Sequence, residues 1–115
     1  MRKTSYTGLY KMTKAEYLSA KYYALRYTYW RKEIQAAEQE QKKQNRQQAR
    51  TEKKIKLIEQ TALEADVEIY QYLLKAVTNE NVTYNALRYK DGMPCGEKKF
   101  YRARQKFYWL LSQRI

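Results

Sequence analysis

The sequence predicts an all-α fold, in which an N-terminal helical hairpin or coiled-coil arm precedes a C-terminal helix-turn-helix. Residues 13–77 contain neither glycine nor proline and are rich in alanine, glutamate, glutamine, lysine and leucine, a composition that favours helix. The three glycines and the single proline all lie outside this stretch. No segment shows the polar and apolar alternation typical of a strand. The 115 residues therefore predict a flexible segment over residues 1–12, a helical arm over 13–50 and a helical domain over 51–115.

The first helix has a clear predicted start. Thr13 and Glu16 have the spacing of a capping box, in which each side chain bonds the backbone amide of the other residue. Apolar and aromatic residues then follow at heptad-like spacing, which indicates helix packing. They are Tyr23, Tyr27, Trp30, Ile34 and Ala37. The chain becomes polar and glutamine-rich from Gln35 onward, and we expect it to turn over residues 45–50.

The second predicted helix covers residues 52–77 and carries a more regular apolar seam. Its members recur at alternating spacings of three and four residues. They are Ile55, Ile58, Ala62, Ala65, Ile69, Tyr72 and Ala76. An antiparallel hairpin, with the two seams facing each other, uses these residues. A coiled-coil homodimer would use the same residues, so both arrangements remain open.

The last third of the chain has the helix caps and breaks expected of a helix-turn-helix. Thr83 can cap a short helix over residues 84–90, and Gly92 and Pro94 then impose a break. A final helix is predicted over residues 96–114, with one apolar stripe. The stripe consists of Phe100, Ala103, Phe107, Leu110 and Leu111.

Charge indicates a polyanionic partner and argues against several other classes of protein. The net charge is +12, with +7 on residues 1–46, −1 on 47–82 and +6 on 83–115. Histidine is absent, and Cys95 is the single cysteine. We therefore expect no enzyme activity, catalytic residue, metal, cofactor or small-molecule substrate, and a structural role for Cys95. No long apolar run or secretory signal is present, so we expect a cytoplasmic protein with no membrane partner.

The final helix is the predicted contact with double-stranded DNA. A short helix, a tight turn and a longer basic helix are typical of this motif, whose last helix enters the major groove. The side opposite the apolar stripe carries donors that suit guanine, adenine and phosphates. The predicted DNA-binding residues are Lys98, Lys99, Arg102, Gln105 and Lys106, with Lys90 and Arg104 on the backbone. A helical wheel places Trp109 away from the core.

The stretch 84–111 resembles a known group of proteins. It contains Met93-Pro94-Cys95-Gly96, then Phe100-Tyr101-Arg102, then residues 104–111, which read RQKFYWLL. This sequence pattern resembles that of the RinA/ArpU-type late transcription regulators of Gram-positive phages and integrative elements. The resemblance implies a helix-turn-helix similar to the promoter-reading end of a sigma factor. It also implies an activator that acts with RNA polymerase in the cytoplasm of a bacterial host.

Two other functions use different residues. A phage-encoded inhibitor of host machinery, such as RNA polymerase or a CRISPR nuclease, would bind its target through aromatic side chains. The predicted interface then consists of Trp109, Tyr23, Tyr27 and Trp30. A basic helix can also bind RNA.

Overall fold

A computed structural model describes residues 10–40 and 45–115, which form helices joined by short connections. The all-α prediction is confirmed for this part of the chain. No helix among these residues combines the length and the apolar character that crossing a membrane requires. The helices are α1 (Lys14–Leu25), α2 (Tyr27–Gln39), α3 (Arg46–Ala65), α4 (Tyr70–Val77), α5 (Tyr84–Tyr89) and α6 (Glu97–Ser112).

The predicted start of the first helix is confirmed, but the helix does not continue to residue 50. The Thr13 hydroxyl accepts from the Glu16 amide at 3.0 Å, and Glu16 accepts from the Thr13 amide at 2.7 Å. A break at Arg26 then separates α1 from α2. Neither glycine nor proline causes this break. It lets α1 pack against α6 while α2 packs against α3, so tertiary contacts outweigh the local helix propensity.

Two segments next to the start of a helix were predicted to be non-helical: residues 1–12 as a flexible segment and residues 45–50 as a turn. Of the predicted flexible segment 1–12, residues 1–9 lie outside the described residues, whereas Met12 is buried in the core. The turn predicted over residues 45–50 is wrong, because α3 already begins at Arg46. Asn45 and Gln48 form a second capping box there, with bonds of 2.8 and 2.9 Å. Residues 41–44 lie outside the described residues.

Helices α2 and α3 form an antiparallel pair within one chain. The Tyr27 hydroxyl donates to Glu59 at 2.5 Å, while Ile34, which is later in α2, lines a common crevice with Ile55, which is earlier in α3. This packing within one chain is what the predicted hairpin requires.

The predicted continuous helix over 52–77 is wrong, because α3 ends at Ala65 and Asp66 is its extended C-cap. The Asp66 carboxylate accepts from the amides of Glu68 at 2.9 Å and Ile69 at 3.3 Å. These bonds offer the backbone an alternative to the helical ladder. Beyond the break the buried positions change register: Leu73 and Val77 enter the core, whereas the predicted Tyr72 and Ala76 are only half-buried.

The core lies where α6 meets α1, α3 and α4. Phe100 and Phe107 are its largest fully buried side chains. The C-terminus is tied to α3, because the Arg114 guanidinium donates to both carboxylate oxygens of Glu64 at 2.7 and 3.0 Å and to the Thr61 hydroxyl at 3.0 Å. Helix α6 is thus held at both ends.

Candidate nucleic-acid interface

The connection between α5 and α6 has the geometry that its sequence predicted. Thr83 caps α5 by accepting from the Ala86 amide at 3.1 Å, and Gly92 has a φ of +75°, which favours glycine. Met93 is fully buried, and its amide donates to the Leu87 carbonyl at 2.9 Å. The turn is therefore fixed to the core.

Two side-chain bonds hold the second half of this connection. The Arg88 guanidinium donates to the Met93 carbonyl at 3.1 Å, and the Tyr84 hydroxyl donates to the Cys95 carbonyl at 3.1 Å. Burial raises the pKa of the Cys95 thiol. These contacts set the direction in which α6 leaves Gly96, its N-cap.

The core-facing stripe of α6 is confirmed at four positions, and a second side of the helix is covered as well. Phe100, Ala103, Phe107 and Leu111 are buried, and Tyr108 is also buried. From residue 103 to residue 111 every side chain is buried or half-buried. The wheel assumed a single packing face, whereas α6 packs against α1, α3 and α4.

Trp109 lies on this second covered side, so its predicted position away from the core is wrong. The indole is half-buried against the core, and its ring centroid lies 5.4 Å from that of Tyr10. The chain segment that precedes α1 therefore covers part of the face that the sequence assigned to solvent.

The exposed part of α6 is its first two turns. Glu97, Lys98, Tyr101 and Arg102 are all exposed there. No carboxylate of the described residues forms an ion pair with Lys98 or Arg102. Their charges are therefore available to an external anion.

A cleft of about 550 Å³ brings four of the seven predicted DNA-binding residues together. One wall is the face of α6 that carries the four cations, and the other is the end of α3 together with Tyr10. The lining residues are Lys98, Lys99, Arg102, Ala103 and Lys106 from α6, and Ala65, Asp66 and Tyr10 from elsewhere.

An acidic side chain in the turn after α3 already engages one of these cations. Lys99 donates a hydrogen bond to Glu68 and forms an ion pair with it. This bond lowers the pKa of Glu68 and raises the pKa of Lys99. The bond from Arg114, and more weakly the charge of Lys106, lower the pKa of Glu64. An incoming phosphate would have to compete with Glu68 for Lys99.

The remaining three predicted DNA-binding residues do not line this cleft. The Arg104 guanidinium lies 4.8 Å from the ring centroid of Tyr101, in cation–π geometry. Gln105 is half-buried, and Lys90 is exposed at the end of α5. The seven predicted residues thus fall into two sets: four line the cleft, and Lys90, Arg104 and Gln105 lie outside it.

Of the aromatic residues predicted as a partner interface, those of α1 and α2 are buried or half-buried. Trp30 is only 3% exposed, and Tyr23 packs edge-on against it with centroids 5.1 Å apart. Burial, followed by the hydrogen bond to Glu59, raises the pKa of Tyr27 to about 12. The heptad pattern selects residues that face another helix, so it missed the exposed Tyr22 and Tyr29.

Sequence reasoning also missed the second wall of the cleft. Asp66 is an aspartate at a helix end, where this residue type favours caps and turns, so its position in Ala65-Asp66-Val67-Glu68 was a usable signal. Tyr10 gave no such signal.

Comparison with protein-family models, curated proteins and solved structures finds no match for the chain.

Proposed function

We propose that this protein binds double-stranded DNA through the first two turns of α6 and regulates transcription. The observation that carries the proposal is the exposure of Lys98 and Arg102, without an acidic partner among the described residues, directly after the fixed turn at Gly92. In helix-turn-helix proteins the N-terminal residues of the last helix contact the base edges.

The chemistry of these residues suits a duplex. Arg102 can donate two parallel hydrogen bonds to guanine, and Lys98 can donate to guanine or to a phosphate. A net charge of +12 favours association with any polyanion and makes the affinity depend on salt. Because the rest of α6 is covered, base reading in this proposal is confined to residues 97–102.

The other predicted DNA-binding residues take supporting roles in this proposal. Lys99 and Lys106 are half-buried in the cleft and would contact phosphates that run along it. Lys90, exposed at the end of α5, would contact the flanking backbone. Arg104 and Gln105 are half-buried, so we assign them smaller contributions.

The regulatory role rests on the sequence resemblance to RinA/ArpU-type regulators over residues 84–111. On that basis the protein would activate phage genes inside a bacterial host, with RNA polymerase as a second partner. The sigma-like helix-turn-helix and the helical arm belong to the same proposal.

A binding selection from randomised duplexes at roughly 0.15 M salt tests the proposal. We expect a defined motif to be enriched by the wild-type protein. Arg102→Ala should relax discrimination at one position and cost about 1–3 kcal/mol on the selected duplex. Lys32→Ala, at an exposed site on α2, is the charge-matched control and should retain the motif.

Two results would overturn the proposal. One is the absence of any enriched motif together with binding that does not respond to salt. The other is capture of a host enzyme that persists after DNase treatment, which would favour the inhibitor function instead.

A further inference from the structure

Helix α3 carries a row of cations along one face of its first half. Arg46, Arg50 and Lys54 are spaced four residues apart, so their side chains stack on one side of the helix. Lys53 lies beside this row. The two arginines and Lys53 are exposed, and Lys54 is half-buried. Together with Arg26, described below, we call these residues the basic ridge.

The acidic residues of α3 nearest to this row, Glu52 and Glu59, lie on another side of the helix. Glu59 accepts from the Tyr27 hydroxyl and lies 3.6 Å from the Arg31 guanidinium. Glu52 lines the crevice between α2 and α3 together with Glu59. The segment 47–82 has a net charge of −1, yet the structure separates its charges by face. Although three of the five ridge cations belong to this nearly neutral segment, the ridge itself contains no acidic residue and is strongly positive.

Arg26 extends the basic ridge from the junction of α1 and α2. Its guanidinium lies 5.1 Å from the Trp30 ring centroid, and the Lys54 ammonium lies 5.2 Å from the same ring. The two charges are thus within roughly 10 Å of each other, a distance over which like charges still repel at moderate salt. No carboxylate of the described residues forms an ion pair with either. A bound anion would relieve this repulsion.

We propose that the basic ridge binds backbone phosphates of the duplex whose bases α6 reads, and so fixes the orientation of the protein on DNA. The inference rests on the proposed function. Lys54 lies twelve residues before Asp66, about 18 Å along α3, and Arg46 lies about 12 Å farther. The distance from Asp66 to Arg46 along α3 is therefore about 30 Å, which is shorter than one turn of duplex, about 34 Å.

The composition of the ridge favours phosphates over an acidic protein surface. Protein interfaces have an apolar centre, whereas α3, which carries four of the five ridge cations, has none of the large exposed hydrophobic side chains. Phosphate contacts position a protein without reading sequence. The ridge should therefore contribute to affinity and salt dependence and leave base discrimination unchanged.

The test compares two double variants with equal loss of charge. Arg50→Gln/Lys54→Gln removes the centre of the ridge, and Lys32→Gln/Lys56→Gln removes exposed cations elsewhere on α2 and α3. Binding to a 30-bp duplex of arbitrary sequence and to a selected 30-bp duplex is measured by fluorescence anisotropy from about 0.05 to 0.2 M salt. Circular dichroism verifies that both variants fold.

The ridge variant should lower the magnitude of the log affinity–log salt slope by about 1–2, since each lost phosphate contact removes about 0.9. Its affinity should fall by the same factor on both duplexes, and the control variant should keep the wild-type slope. If the wild type binds duplex DNA but the ridge variant and the control variant have the same salt slope, the inference about the ridge is wrong and the proposed function still stands. A loss confined to the selected duplex also overturns it. Failure of the wild type to bind any duplex overturns the proposed function, and the inference with it.

Discussion

Replacement of Gly92 by alanine tests whether the turn before α6 has the backbone conformation described. The φ of +75° at Gly92 costs a residue with a Cβ atom about 1–2 kcal/mol. A Cβ built there meets no heavy atom within 4 Å, so no clash adds to this cost. Alanine also restricts the unfolded chain, which offsets about 0.4–1 kcal/mol. We therefore expect Gly92→Ala to lower the free energy of unfolding by about 0.5–1 kcal/mol.

Thermal unfolding followed by circular dichroism measures this loss. For a domain of this size it corresponds to a decrease in Tm of roughly 2–5 °C. Gly92→Asn should lose less, because asparagine tolerates the left-handed region. Gly96→Ser is the matched control: Gly96 has an ordinary φ of −85° as the N-cap of α6, and serine there should preserve or raise the Tm. The reasoning is refuted if Gly92→Ala is as stable as the wild type, or less affected than Gly92→Asn.

Three further predictions concern single residues. Glu68→Gln removes the ion-pair partner of Lys99 and should strengthen duplex binding and steepen the salt slope by up to about 0.9; weaker binding in anisotropy titrations would contradict this. Phe107→Ala removes a fully buried ring and should cost about 3–5 kcal/mol, so a near-native urea midpoint would be inconsistent with the described core. The folded pKa of Tyr27 is about 12, above the ordinary 10.0, so its stabilising effect is complete below pH 10 and is lost as the pH rises towards 12. Urea titrations should therefore show a smaller decline in stability over this range for Tyr27→Phe; equal declines would argue against the burial of Tyr27 and its hydrogen bond to Glu59.

Local signals predicted the parts of the fold that local interactions determine. Thr13, Thr83 and Gly92 each act through atoms within a few residues, so residue type and spacing were sufficient. The break at Arg26 has no such signal, because it follows from the separate contacts of α1 and α2 with α6 and α3. The same applies to the register change after Asp66, where the seam moves to Leu73 and Val77.

In the candidate site, the exposed positions on α6 were predictable from the sequence, whereas the contacts of α6 with distant segments were not. Periodicity placed Lys98 and Arg102 on the exposed side of α6, because both lie opposite the core stripe. It failed at Trp109, which Tyr10 covers, since a helical wheel contains no information on distant segments. The pairing of Lys99 with Glu68 likewise depends on where the α3–α4 connection lies, which follows only from the packed structure.

An NMR titration of the labelled full chain with a selected duplex tests the central claim most directly. If α6 enters the duplex with its first two turns, the largest amide shift changes should fall on residues 96–102, with smaller changes along the first half of α3. Amides near Lys32, on the exposed side of α2, should remain unchanged. Large changes on α2, with residues 96–102 unaffected, would contradict the account.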